Sequence, residues 1–245
     1  MVDRLMVTDF ERLQTDVADL NQAMLDYGFL NYEKVFINDA IKLGLRPIAL
    51  GFVRKKVSDG SYEYLLMPTL LNDEDRLNPQ LQYAPPQSQL DKLKDREILS
   101  NTVSLEDTLA RGLWEKTGII APINILSCEF IHSTAILYNE SRIDAEDKSN
   151  DPALKAPIGD FCVSYIVDVQ MPLFEDGIRE RNIVLGAEQS GQKILAWTLN
   201  QIPRIEIKFW YSLSRFIDMI NDDNNPLSED KRLLFNHIIN LMIGG

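Results

Sequence analysis

Within "SLEDTLARGLWEKTGI", Ser104 to Ile119, the residues Asp107, Arg111 and Glu115 recur every fourth position. On a helix that spacing gathers them on one polar face, where two successive ion pairs can form. A second charged group is the basic run "FVRKKV". Its Arg54, Lys55 and Lys56 could face an anionic ligand or stand solvated at a hairpin end. His132, in the apolar stretch "CEFIHSTAIL", reads as a hydrogen-bonded structural histidine, and His237 falls in the last helical segment. The two histidines and two cysteines lie far apart in sequence, so no zinc motif forms. No G-x-S-x-G, Walker A or G-x-G-x-x-G pattern occurs.

The elements that must position these residues follow from periodicity. Thr8 and Glu11 suit a capping box, and Phe10, Leu13, Val17, Leu20 and Met24 repeat at helical spacing up to Gly28. A shorter helix is expected from Tyr32 to Leu43, ending at Gly44. "RPIALGFVRKKVSDGSYEYLLMPTLL" reads as a β-hairpin turning at Asp59-Gly60. From Asn72 to Lys94 the chain is polar and proline-containing, which predicts a loop.

The quoted segment carries its own helix signals. Ser104 and Asp107 suit the N-terminus, with acids at the positive end of the helix dipole. Leu105, Leu109, Leu113 and Trp114 form the expected buried stripe, and Gly118 stops the helix. Strands are expected at "INILSCEFIHSTAILYN", "GDFCVSYIVDVQMP" and "QKILAWTL", with a solvated acidic loop between the first two. The C-terminal "IEIKFWYSLSRFIDMIND" reads as helix, and Ser228 as N-cap of a last one. The cluster Phe209, Trp210, Tyr211 and Phe216 is too broad for a single buried stripe. Core packing is the default reading of the cluster; its breadth makes an exposed part, at an interface or a base-stacking platform, the alternative, and with the apolar "LLFNHIINLMI" it points to a homo-oligomer contact.

The helix segment resembles the Nudix box, the signature of Nudix hydrolases, which runs G-x5-E-x7-R-E-U-x-E-E-x-G-U with U aliphatic. Anchored on Arg111, the pattern matches Leu113, Glu115, Gly118 and Ile119. The preceding hairpin, the following strands and Trp197 in "ILAWTLNQIP" agree with the family in order, so the resemblance spans roughly Arg46 to Met219. It implies an α/β fold: a Nudix-like α/β/α sandwich with a mixed central sheet and helical extensions at both ends. The corresponding boundaries are a helical extension over 1–45, the Nudix-like domain over 46–220, and a C-terminal helix over 221–245 packing on the domain or a partner.

The departures concentrate at the acidic positions. Gly112 stands where the box has the glutamate after arginine, Lys116 where it has the second glutamate of the pair, Val103 at the upstream glutamate and Glu97 at the glycine. No Pro-Gly-Gly precedes the box in "DKLKDREILSNTV". The family's chemistry needs clustered carboxylates, because Mg or Mn takes oxygen ligands and orients the attacking water. Glu115 remains, and Asp107 and Glu188 are the acids that could form a substitute metal site with it.

Two functions therefore stay open. One is a binding or protein-interaction module for a nucleotide or a nucleoside-diphosphate-linked compound, with Arg54, Lys55, Lys56 and Arg111 as ligand-binding candidates and no cofactor. The other is a divergent Mg- or Mn-dependent pyrophosphohydrolase with Glu115 as its catalytic residue. The number of lost carboxylates leans the reading away from an enzyme.

Composition bounds the rest. The chain has 245 residues, is 45% hydrophobic and 25% charged, and carries a formal net charge of −12. That charge argues against general nucleic-acid binding, which needs a basic field. Cys128 and Cys162 read as reduced core thiols. No apolar run is long enough to span a membrane, and the charged N-terminus lacks the apolar core of a secretory signal, so a cytoplasmic protein is expected.

Overall fold

The structure is a computed structural model. It describes residues 7–27, 33–70, 81–90, 105–117, 119, 121, 123–138, 157–170 and 209–244. Two helices, α1 (Val7–Tyr27) and α2 (Glu33–Lys42), lead into the strand β1 (Leu45–Lys56). Four short strands follow: β2 (Tyr62–Leu65), β3 (Met67–Leu70), β4 (Leu81–Ala84) and β5 (Gln87–Gln89). The quoted segment is helix α3 (Leu105–Thr117). After it come β6 (Ile125–Leu137), β7 (Gly159–Val169) and β8 (Trp210–Ser212), then helices α4 (Leu213–Asn221) and α5 (Glu229–Gly244).

A six-stranded sheet has the order β6-β7-β1-β2-β8, with β5 also paired to β1, and β3 and β4 form a separate pair. The sheet is mixed. β1–β2 and β2–β8 run antiparallel. The Gln170 amide donates to the Asn124 carbonyl at 2.8 Å and the Tyr138 amide to the Ile158 carbonyl at 2.9 Å, which joins opposite ends of β6 and β7 and makes them antiparallel as well. β1 and β7 instead advance together. Arg46 meets Asp160 and Arg54 meets Asp168, each pair 114 positions apart, so these strands are parallel. The α/β class with a mixed central sheet and helices at both ends is borne out.

Contacts divide the chain into two compact units. The first comprises Met1–Ala49, Gln89–Thr108 and His132–Val163. Here Val17, Leu20 and Met24 of the expected α1 stripe are buried and its Phe10 and Leu13 are half-buried, while α2 buries Phe36, Ile37 and Ala40. α1 begins at Val7, so Thr8, the expected cap, lies inside its first turn. α2 ends at Lys42, one residue short of the expected Leu43, and Gly44 in the turn that follows has a positive φ of 83°, which continues the chain into β1 without a Cβ penalty. Asn21 of α1 reaches β6. Its Nδ2 donates to the Ala135 carbonyl at 3.0 Å and its Oδ1 accepts from the Ala135 amide at 2.8 Å.

The second unit comprises Leu50–Ser88, Leu109–Ile131 and Ser164–Gly245. Its hairpin turns as expected, with one refinement. The Gly60 amide donates to the Val57 carbonyl at 3.0 Å, Gly60 has φ of 88°, and the Val57 amide donates to Ser61 at 2.9 Å, which makes a three-residue loop. Phe52 on β1 packs against Phe216 of α4 and Phe235 of α5, with ring centroids 6.0 and 6.3 Å apart. On the neighbouring residue of β1, Leu109 of α3 approaches Gly51. Successive residues of a strand face opposite ways, so helices cover β1 on both faces of this unit.

Three expectations change. Residues 81–84 and 87–89, expected in a loop, form strands. Pro85 and Pro86 sit between them, where no ladder hydrogen bond is demanded of their nitrogens, and the Pro86 carbonyl accepts from the Gly51 amide at 2.8 Å. Residues 210–212 are strand, not helix, and Phe209, Trp210, Tyr211 and Phe216 are all buried, so they form no exposed platform. Burial pushes the Tyr211 hydroxyl up to about 12, with Tyr83 adding to the effect. Trp114 is not part of the buried stripe of α3, being 58% exposed, whereas Leu105, Leu109 and Leu113 are fully buried.

On α5, Leu234, Phe235, Ile238 and Ile239 are buried, while Leu233, Leu241 and Ile243 are exposed. Cys128 and Cys162 are not joined in a disulfide, the second being buried and the first half-buried. No helix among the described residues is long and apolar enough to cross a membrane.

Candidate functional site

The end of β1 carries the three basic candidates. Arg54 is clasped by Asp168 of β7, with Nε 2.6 Å from Oδ1 and Nη2 3.2 Å from Oδ2, a two-pronged pair that fixes the guanidinium plane. Ser127 of β6 donates to the same Oδ2 at 3.0 Å. The guanidinium carbon lies 4.4 Å from the centre of the Tyr62 ring. The Asp168 hydrogen bond holds the Arg54 guanidinium above its ordinary range. Partial burial pushes the Asp168 carboxyl up, but the hydrogen bonds from Arg54 and Ser127 outweigh it and hold the group below the usual carboxylate range.

Lys55 points its Nζ at Glu63 of β2 at 3.3 Å and over the Trp210 ring, 4.7 Å from its centre. Lys55 and Glu63 are direct partners in the ladder, which explains the contact. Lys56 is exposed at the strand end. Of the three cations named for an anionic ligand, two therefore meet carboxylates of the chain itself. A similar arrangement recurs in the first unit. Arg46 Nε donates to Asp160 Oδ1 at 2.8 Å, and Tyr138 joins both, accepting from Arg46 and donating to Asp160 at 2.7 Å.

Helix α3 carries the acidic candidates. Asp107 is exposed in the first turn, Arg111 is half-buried, and Glu115 lies in the last turns of the helix. Thr117 closes the helix by donating to the Leu113 carbonyl at 2.6 Å and accepting from the Ile119 amide at 3.2 Å. Ser104, Gly118, Glu188 and Trp197 lie outside the described residues, as does the side chain of Glu115.

Gly112 shows what sequence reasoning alone missed. A Cβ built there would overlap the Oγ of Ser88 on β5 and stand 2.6 Å from the Ser88 Cβ. Real carbon atoms never approach so closely, so the position admits hydrogen and nothing larger while β5 stays in place. The glycine therefore does two things. It places no carboxylate on this turn of α3, and it lets helix and strand meet. The only sequence signal was a helix-interior glycine, a costly residue there that calls for a packing reason.

Gly112 supplies no oxygen donor, and Ser88 takes the space beyond its α-carbon. Among the described residues, no group of three or more histidines, cysteines, aspartates or glutamates gathers.

No family model matches the sequence, and no curated protein matches it. Among solved structures, the chain is similar to an Ap4A hydrolase from C. elegans at 10% identity, over 82% of this chain and 97% of that one, with a TM-score of 0.40. It is also similar to RenU, a Nudix hydrolase from M. smegmatis, at 12% identity, over 62% of this chain and 86% of that one, with a TM-score of 0.30. Likeness at these scores says nothing of what this chain binds or does.

Proposed function

We propose that the protein is a Nudix-like binding module with a degenerate catalytic helix. It would take a nucleotide or nucleoside-diphosphate-linked compound, or a protein partner, without hydrolysing a pyrophosphate bond. One observation carries the reading: position 112, a carboxylate position by the motif, is filled by Ser88. Charge stabilisation of a pyrophosphate depends on the number of acids that hold the metal, and this one cannot be supplied from α3.

Lys56, exposed beside the engaged Arg54 and Lys55, and the half-buried Arg111 are the proposed ligand contacts. The proposed organisation keeps the helical extension over 1–45, the domain over 46–220 and the terminal helix over 221–245. The protein is proposed to act in the cytoplasm. The exposed Leu233, Leu241 and Ile243 of α5 are the proposed contact for a second copy or another protein.

The test is a hydrolysis screen over nucleoside-diphosphate-linked compounds with Mg²⁺ and with Mn²⁺, run beside calorimetric binding of the same compounds. Binding without turnover is expected. Turnover that Glu115→Gln abolishes would overturn the reading in favour of a divergent hydrolase, in which Asp107, Glu115 and Glu188 supply the metal ligands.

A further inference from the structure

Helix α3 meets the sheet at two points where one partner is glycine. Leu109 Cδ1 and Cδ2 lie 3.0 and 3.2 Å from where a Cβ of Gly51 would stand, so the leucine fills the space above β1. One turn further along, Gly112 sits directly on Ser88, which is buried in β5. β5 is tied to β1 by the hydrogen bond from the Gly51 amide to the Pro86 carbonyl. Gly51 therefore has a role in both contacts: its bare α-carbon receives the helix and its amide holds the strand.

We infer that Gly112 and Ser88 form a matched steric lock that fastens α3 to β5 and shuts position 112 to every side chain. The lock rests on the reading above only in its functional meaning, that no single substitution reinstates a carboxylate at this position. Its geometry is independent of that reading. Two features make it specific. The obstruction comes from the Ser88 side chain alone, because the next atom, Ser88 Cα, is at an ordinary 3.6 Å. The overlap also includes the Ser88 Cβ at 2.6 Å, which no rotation of the hydroxyl relieves. A strand-borne side chain thus takes up the space that a helix residue would use to face the sheet.

The experiment is a set of variants read by thermal and denaturant unfolding of the full chain. Gly112→Ala is expected to lower Tm by about 5–10 °C or to prevent folding, as overpacking of a closed contact does. Ser88→Gly combined with Gly112→Ala is expected to restore folding, with a Tm close to that of Ser88→Gly alone. Ser88→Ala combined with Gly112→Ala is expected to give no rescue, since it keeps the clashing Cβ. The lock is overturned if Gly112→Ala melts within about 2 °C of the parent. It is also overturned if the Ser88→Gly double variant is no more stable than Gly112→Ala alone, including the case in which neither folds. Hydrolysis by the parent protein would sink the binding reading while leaving this stability cycle to decide the lock.

Discussion

Arg54 and Asp168, 114 positions apart in sequence, hold each other by two hydrogen bonds across the parallel strands β1 and β7. Their side chains are 21% and 25% exposed, so the pair is neither a solvated surface bridge nor a dry one. Its strength should lie between those limits. Arg54→Ala or Asp168→Ala leaves a half-buried charge without its partner, and each is expected to destabilise by about 1–3 kcal/mol. Arg54→Lys should lose most of the same amount, because an ammonium cannot make the forked contact with the carboxylate. A denaturant double-mutant cycle on the two positions measures the coupling, and a value near zero would show that the pair is ornamental.

The same aspartate sets a pH dependence. Its folded-state carboxyl is held below the unfolded value of about 3.9, so the folded state binds the proton less readily than the unfolded chain does. The stabilisation is fully present above the unfolded value and is lost as pH falls through the folded one. Between neutral pH and about pH 5 the parent and Asp168→Asn should differ in stability by a constant amount. Below about pH 4 the difference should shrink. Urea midpoints recorded against pH test this, and a gap that widens in acid would contradict it.

Asn21 is expected to matter out of proportion to its half-exposed position. Its amide satisfies both the carbonyl and the amide of Ala135 on β6. Asn21→Ala should cost about 1–3 kcal/mol, because it unmakes two hydrogen bonds to backbone groups. Hydrogen exchange at the Ala135 amide should accelerate in the variant, while exchange in the β1–β2 hairpin should keep its parental rate relative to global unfolding.

Two aromatic residues should respond in opposite ways. Phe216 is fully buried, with Phe52 and Tyr64 rings 6.0 and 5.5 Å away, so Phe216→Ala is expected to cost about 3–5 kcal/mol. Trp114 is mostly exposed on α3, and Trp114→Ser should shift stability by no more than about 0.5 kcal/mol. Thermal melts of the two variants compare them directly. A large loss at Trp114 would mean that something covers it in solution.

Much of the fold was legible because its signals are local. The leucine stripe of α3, the Gly44 helix end and the Asp59-Gly60 turn each depend on a few neighbouring residues. What escaped depends on partners distant in sequence. The strands at 81–84 and 87–89 look like a polar loop until the Gly51 amide and the Pro86 carbonyl are seen to pair. Trp210 and Tyr211 read as helix by composition, but ladder bonding to Leu65 and Tyr64 makes them strand. The candidate site divided in the same way. The glycine at 112 and the lysine at 116 were visible in the sequence. That Arg54 and Lys55 are engaged by Asp168 and Glu63, and that Ser88 closes position 112, was not, because no motif couples those positions.

The parallel pairing of β1 with β7 also has a kinetic consequence. The β1–β2 hairpin needs only a short loop to close, whereas joining Arg54 to Asp168 requires more than a hundred intervening residues to be gathered first. The central ladder must therefore form late, after the hairpin and the terminal helices have local structure. During synthesis β1 waits for Val163, Tyr165 and Val167 of β7 to leave the ribosome before its parallel neighbour exists. That interval, rather than the finished molecule, is when this chain is most exposed to aggregation.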